Sequence, residues 1–117
     1  MDEHRARALV ARERRRVEAA LAELTGEEQA DDASRSDQAG EAGEAGTEVQ
    51  HEMVDQAVAA GLEIELAAIV RAEARIEQGT YGLSIDSGAR IPDERLEAEP
   101  LAERTVEEQS RLEQTPG

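Results

Sequence analysis

Apolar residues recur at helical spacing in two stretches of the chain, with a nearly aliphatic-free stretch between them. In the first stretch Val10, Val17 and Leu24 repeat every seven residues, with Leu21 alongside. A one-sided stripe of this period is the mark of a helix that packs along a partner helix. Ala, Arg, Glu and Leu, all good helix formers, dominate the intervening positions. The spacing therefore predicts a helix over 2–25, with Gly26 as its stop. In the second stretch Met53, Val58, Leu62, Leu66, Ile69 and Ile76 supply an apolar face, and Leu62, Ile69 and Ile76 keep the seven-residue step. This predicts a longer helix over 47–78, with Thr47 as N-cap, Gln50 completing a capping-box pattern and Gly79 as the end. Gly61 is its weak point, costing about 1 kcal/mol relative to Ala inside a helix.

Residues 26–46 hold Gly26, Gly40, Gly43 and Gly46, a near-repeat of Glu-Ala-Gly, and no large aliphatic side chain. Such a segment cannot bury apolar surface and reads as a solvated connection. It is strongly acidic, with Glu27, Glu28, Asp31, Asp32, Asp37, Glu41 and Glu44 against the single Arg35. Two stripes of matching period joined by a polar loop predict an antiparallel pair with the acidic loop at one end. Residues 79–100 are turn-rich, with Gly79, Gly82, Gly88, Pro92 and Pro100 interrupting Leu83, Ile85, Ile91 and Leu96. Residues 101–114 read as a last helix carrying Leu101, Val106 and Leu112, and 115–117 should fray. The expected class is all-α: a two-helix coiled-coil hairpin over 1–78 with its tip loop at 26–46, then a small module and final helix over 79–117.

Composition narrows the function. Among 117 residues Tyr81 is the sole aromatic. Aromatics supply much of the area buried in a compact core, so a large globular core is not expected. The net charge of −15 repels phosphate backbones and argues against direct DNA or RNA binding. No apolar run is long enough to cross a bilayer, and the charged start Met1-Asp2-Glu3-His4-Arg5 lacks the apolar segment of an export signal, so a cytoplasmic protein is expected. The absence of cysteine removes disulfides and thiolate metal sites. No set of His, carboxylate and nucleophile suggests an enzyme.

The stretch 74–100, ARIEQGTYGLSIDSGARIPDERLEAEP, resembles the DksA/TraR C4-type zinc-finger family. In that family the finger opens with Gly-Thr-Tyr-Gly, continues with Cys-x-x-Cys-Gly, and closes with Ile-Pro-x-x-Arg-Leu-Glu-Ala-x-Pro. Gly79-Thr80-Tyr81-Gly82 matches the opening. Gly88, Ile91-Pro92, Arg95-Leu96-Glu97-Ala98 and Pro100 match the remainder. With the hairpin and last helix, the resemblance covers most of the chain. The family's four zinc-ligand positions fall on Ser84, Ser87, Thr105 and Glu108. Structural zinc needs thiolate or imidazole ligands in a tetrahedron, so a degenerate, metal-free module with no cofactor is expected. Zinc contributes about 10–16 kcal/mol to folding in small zinc modules. An apolar cluster of Tyr81, Leu83, Ile85, Ile91, Leu96, Leu101, Val106 and Leu112 is expected to compensate.

The resemblance also implies a partner. Family hairpins enter the secondary channel of RNA polymerase and bring tip acids, in the pattern Asp-x-x-Asp-x-Gly/Ala, near the catalytic centre. Counting back from Tyr81 without gaps places Glu41, Glu44 and Gly46 on that pattern, followed by Thr47 and Glu48. Glu stands at both acidic positions, so the charge is kept on a side chain one methylene longer. Physically, bound Mg²⁺ prefers carboxylate oxygens, and a basic channel focuses an acidic probe. The implied function is a non-enzymatic transcription regulator acting as a monomer on RNA polymerase. The same tip reads equally as a low-complexity linker, and the chain as a coiled-coil adaptor that no longer engages polymerase. Arg12, Arg14, Arg15 and Arg16 admit a phosphate-binding reading, set against a solvated face paired with Glu13, Glu18 and the acidic second helix.

Overall fold

The computed structural model describes residues 1–26 and 45–114, with side chains described for 1–26 and 52–114. It holds four helices among these residues: α1 (Glu3–Thr25), α2 (Ala45–Gln78), α3 (Asp93–Ala98) and α4 (Val106–Gln114). No strand occurs among the described residues; a single antiparallel bridge joins Leu83 and Arg90.

The helix ends follow local chemistry. At the start of α1 the Asp2 carboxylate accepts the backbone N–H of Arg5 at 2.9 Å, which satisfies one orphan donor of the first turn. α2 begins at Ala45, not at Thr47, so Thr47 lies inside the helix and is not its N-cap. Extending an existing helix by a residue gains a hydrogen bond for little entropy, and Ala45 is a strong helix former. At the other end of α2, the N–H of Gly79 reaches Ile76 O at 3.2 Å and that of Thr80 reaches Arg75 O at 2.8 Å. This pair is a Schellman cap, and it requires the positive φ of 77° that Gly79 supplies.

The chain forms two compact units, Met1–Glu13 with Ala68–Gly117, and Arg14–Ala67. The change of composition at 78/79 falls inside the first. There the start of α1 meets the end of α2, with Arg7 Nη2 at 2.9 Å from Glu77 Oε1. In the second unit Arg16 Nη2 lies 2.7 Å from Glu65 Oε1. The helices pair antiparallel, as the two stripes predicted.

Burial refines the stripes. Val10 and Val17 are buried as expected, joined by Ala6 and Leu9, while Leu21 and Leu24 are half-buried. Leu62, Ile69 and Ile76 are buried together with Ala72. Leu66 is half-buried, and Met53 and Val58 are exposed by 65% and 46%. The Arg16–Glu65 pair sets the reason. Stepping seven residues back along α2 from 65 brings position 58 level with the last turn of α1, and position 53 passes beyond Thr25. The apolar face expected at Met53 therefore has no α1 residue opposite it.

The C-terminal region departs further from expectation. α3 was not foreseen: Pro92, with φ fixed near −58°, leads into a run of helix formers with Asp93 and Glu94 in the first turn, where acids favour the helix dipole. The last helix starts at Val106 rather than at 101. The expected apolar cluster is also smaller. Ile91 and Leu96 are buried and Tyr81 and Leu101 are half-buried, but Leu83, Ile85, Val106 and Leu112 are exposed by 39–54%. Their positions lie on a tight turn and on a short helix whose backbone bonds leave one face to solvent. The turn itself is held by Ser84 N–H to Ala89 O (2.8 Å), Ile91 N–H to Gly82 O (2.8 Å) and Gly88 N–H to Ser84 O (2.9 Å).

Candidate functional site

The four positions Ser84, Ser87, Thr105 and Glu108 lie on two separate segments, and the structure brings them together. Thr105 caps α4. Its hydroxyl accepts the N–H of Glu108 at 3.2 Å, and Glu108 Oε1 accepts the N–H of Thr105 at 2.9 Å. This reciprocal pair is a capping box. The Thr105-x-x-Glu108 signature is local and explains why the helix cannot start at 101. On the turn, Ser84 is buried at 5% exposure. Its Oγ accepts the N–H of Asp86 at 3.1 Å and of Ser87 at 3.3 Å. Ser87 Oγ accepts the N–H of Ala89 at 3.1 Å. The Glu108 carboxylate, at the start of α4, lies close enough to both serine hydroxyls to be stabilised by them electrostatically. The carboxyl is held down to about 2, chiefly by the Ser87 hydroxyl, then by the Thr105 N–H and the Ser84 hydroxyl.

A second polar cluster anchors the segment between α3 and α4. Glu103 accepts from Arg71 at 3.0 and 3.3 Å and from Arg75 at 2.8 Å. Its backbone oxygen accepts the N–H of Ile85 at 2.9 Å. Arg104 Nε reaches Asp86 Oδ2 at 2.7 Å, and Arg95 Nε donates to Arg104 O at 2.9 Å. The Tyr81 hydroxyl donates to Pro100 O at 2.7 Å. Burial pushes the Tyr81 phenol up to about 12, so it stays a donor. Sequence reading did not single out Glu103, because its two arginine partners lie on α2, 28 and 32 residues away, and no local pattern links them.

The tip residues stand differently. Glu41 and Glu44 lie outside the described residues, and Gly46, Thr47 and Glu48 lie in the first turns of α2. In the arginine run, Arg14 pairs with Glu18 at 2.8 Å and Arg16 with Glu65 at 2.7 Å. These are the partners of the solvated-face reading.

No protein-family model matches the sequence. Over 68 residues the chain is 43% identical to general stress protein 16O of Bacillus subtilis (strain 168), a match covering 58% of this chain. It spans 42% of the length of that curated relative. The solved structure of transcription factor DksA2 from Pseudomonas aeruginosa superposes with a TM-score of 0.73, covering 95% of this chain and 82% of that one at 24% identity. The chain has a DksA-like, all-helical coiled-coil fold.

The donor set does not suit the zinc that the sequence resemblance brings to mind. Three hydroxyls and one carboxylate offer neither thiolate nor imidazole, and all four are already engaged with one another or with backbone N–H groups. Among the described residues no three His, Cys, Asp or Glu side chains converge on one point. No helix among them is long and apolar enough to cross a membrane.

Proposed function

We propose that this protein is a DksA/TraR-like transcription regulator that binds RNA polymerase through its secondary channel, presenting the acidic segment between α1 and α2. It acts without catalysis of its own, without a metal cofactor, as a cytoplasmic monomer. The observation that carries this reading is the DksA2-like fold over 95% of the chain, supported by the resemblance of Gly79-Thr80-Tyr81-Gly82 and Ile91-Pro92 to the family's pattern. The fold supplies paired helices, and the sequence supplies Glu41 and Glu44 in the segment that joins them and Glu48 in the first turns of α2. A net charge of −15 suits a basic channel and steers association with it.

A second reading has one observation in its favour. Glu replaces Asp at both tip positions, which alters the reach of each carboxylate, as fits a coiled-coil adaptor with other partners. Pull-down with purified RNA polymerase separates the two. The wild-type chain should bind the enzyme and alter initiation, while Glu41→Ala/Glu44→Ala should lose the transcriptional effect. If the double variant acts like wild type, the tip mechanism is wrong; if wild type fails to bind, the adaptor reading stands.

A further inference from the structure

We infer that one side of α2 between Met53 and Ala67 is a docking strip for an amphipathic helix of another protein, one that carries Lys or Arg along one edge. The inference goes beyond polymerase binding and does not depend on it, so either can fail alone.

The strip shows first in spacing and exposure. Met53, Ala57, Ala60, Ile64 and Ala67 follow one another at steps of four, three, four and three residues. That is the a/d spacing of a coiled-coil seam, sustained over about 21 Å of helix. It is a second seam on the same helix, since Ile64 stands about 200° around the axis from the buried Leu62. All five positions lie within the second compact unit and all five are exposed, Ile64 by 70%. Val54 and Val58, also exposed, widen the strip on one side. The solvent face of a surface helix is ordinarily charged or polar, and none of these positions is.

Gly61 points the same way. Glycine inside a helix costs about 1 kcal/mol relative to Ala, and nothing in the folded chain requires it here. Its φ is not positive, and a Cβ at this position would meet no atom within 4 Å. A small residue among Ala57, Ala60 and Gly61 does suit a helix that approaches from outside, because interaxial distance is set by the side chains at the contact. Met53 and Ile64 then supply the bulk on either side of this close approach.

Charge names the occupant. Between Arg35 and Arg71 the chain has no Lys or Arg. Glu52 and Glu63 border the strip on the edge away from Val54 and Val58. Neither forms an ion pair among the described residues, whereas Glu65 is taken by Arg16 at 2.7 Å. Basic residues along one edge of a partner helix would answer these glutamates, as edge charges do in paired helices. The chain's own segment 27–44 has no Val, Leu, Ile, Met or aromatic to lay on the strip. A second copy would bring the same acidic edge and a further −15 of charge, so repulsion opposes it.

The test uses the full chain and two synthetic helical peptides with the same Leu/Ala seam, one edged with Arg and the other with Glu. Binding is read by fluorescence anisotropy of the labelled peptide, and stability by Tm. The Arg-edged peptide should saturate and the Glu-edged peptide should not. Met53→Gln/Ile64→Gln should weaken binding by roughly tenfold with Tm unchanged, because both side chains already face solvent. Glu52→Lys/Glu63→Lys should reverse the preference between the peptides. Gly61→Gln should raise Tm, through the better helix former, and weaken binding by blocking close approach. Failure of the Arg-edged peptide to bind overturns the inference, as does equal binding of the two peptides. So does a fall in Tm from Gly61→Gln or from the Met53/Ile64 variant, or wild-type binding by either. Sedimentation of the wild type as a dimer that Met53→Gln/Ile64→Gln dissociates would assign the strip to a second copy and overturn it too.

Discussion

Replacing Glu103 with Gln keeps the side-chain volume and removes one charge from the Arg71–Glu103–Arg75 cluster. The two arginines do not weigh equally. Arg71 is 54% exposed, and water screens its pair with Glu103 to about 0–1 kcal/mol. Arg75 and Glu103 are only 12% and 16% exposed and lie 2.8 Å apart. A hydrogen bond between charged groups at such a site contributes about 1.5–3 kcal/mol. Arg75 Nη2 is also buried without a hydrogen-bond partner, so the cation depends on Glu103 for compensation. A fully buried pair broken on one side costs about 3–5 kcal/mol; residual exposure brings the expectation here to about 2–3 kcal/mol. Urea unfolding followed by helical circular dichroism should show a lower midpoint with an unchanged m-value. Adding Arg75→Met should recover part of the loss, since the stranded charge goes with it. Burial alone pushes the Glu103 carboxyl up, but the Arg71 hydrogen bond and the charges of Arg71 and Arg75 outweigh it and hold it below 4.5. The stabilisation is therefore present above that value and fades as the pH falls below it. A loss under about 0.5 kcal/mol from Glu103→Gln, or no recovery in the double variant, would refute the assignment of Arg75 as a charge compensated by Glu103.

Thr105→Ala removes the N-cap of α4 and should cost about 1 kcal/mol, seen as a Tm lower by about 4–8 °C. Leu96→Ala empties a fully buried position and should cost about 2–5 kcal/mol, the largest single loss in the C-terminal module by urea titration. Glu108 titrates at about 2, below an ordinary glutamate. Its stabilisation is thus complete above pH 4.5 and is lost as the pH falls toward 2. Urea midpoints measured between about pH 5 and pH 2.5 should fall more steeply for wild type than for Glu108→Gln.

The sequence by itself determined what depends on short-range period and backbone chemistry. The seven-residue steps of Val10 and Val17 and of Leu62, Ile69 and Ile76 encode two helices with facing stripes, because side-chain direction repeats with the helical turn. Gly26 and Gly79 end those helices because the left-handed conformation costs glycine little. The Thr105-x-x-Glu108 box was equally local, although composition alone suggested a start at 101. Tertiary structure decided what depends on which segments meet. Met53 shares the helical period yet stays exposed, because α1 has run out opposite it. Leu83, Ile85, Val106 and Leu112 are apolar, but the folded turn and α4 leave them outside while Ile91 and Leu96 are enclosed. The union of Arg71 and Arg75 with Glu103 joins residues 32 and 28 positions apart. Hydrogen bonds of such range carry no period in the chain; they form only once packing has placed donor and acceptor side by side.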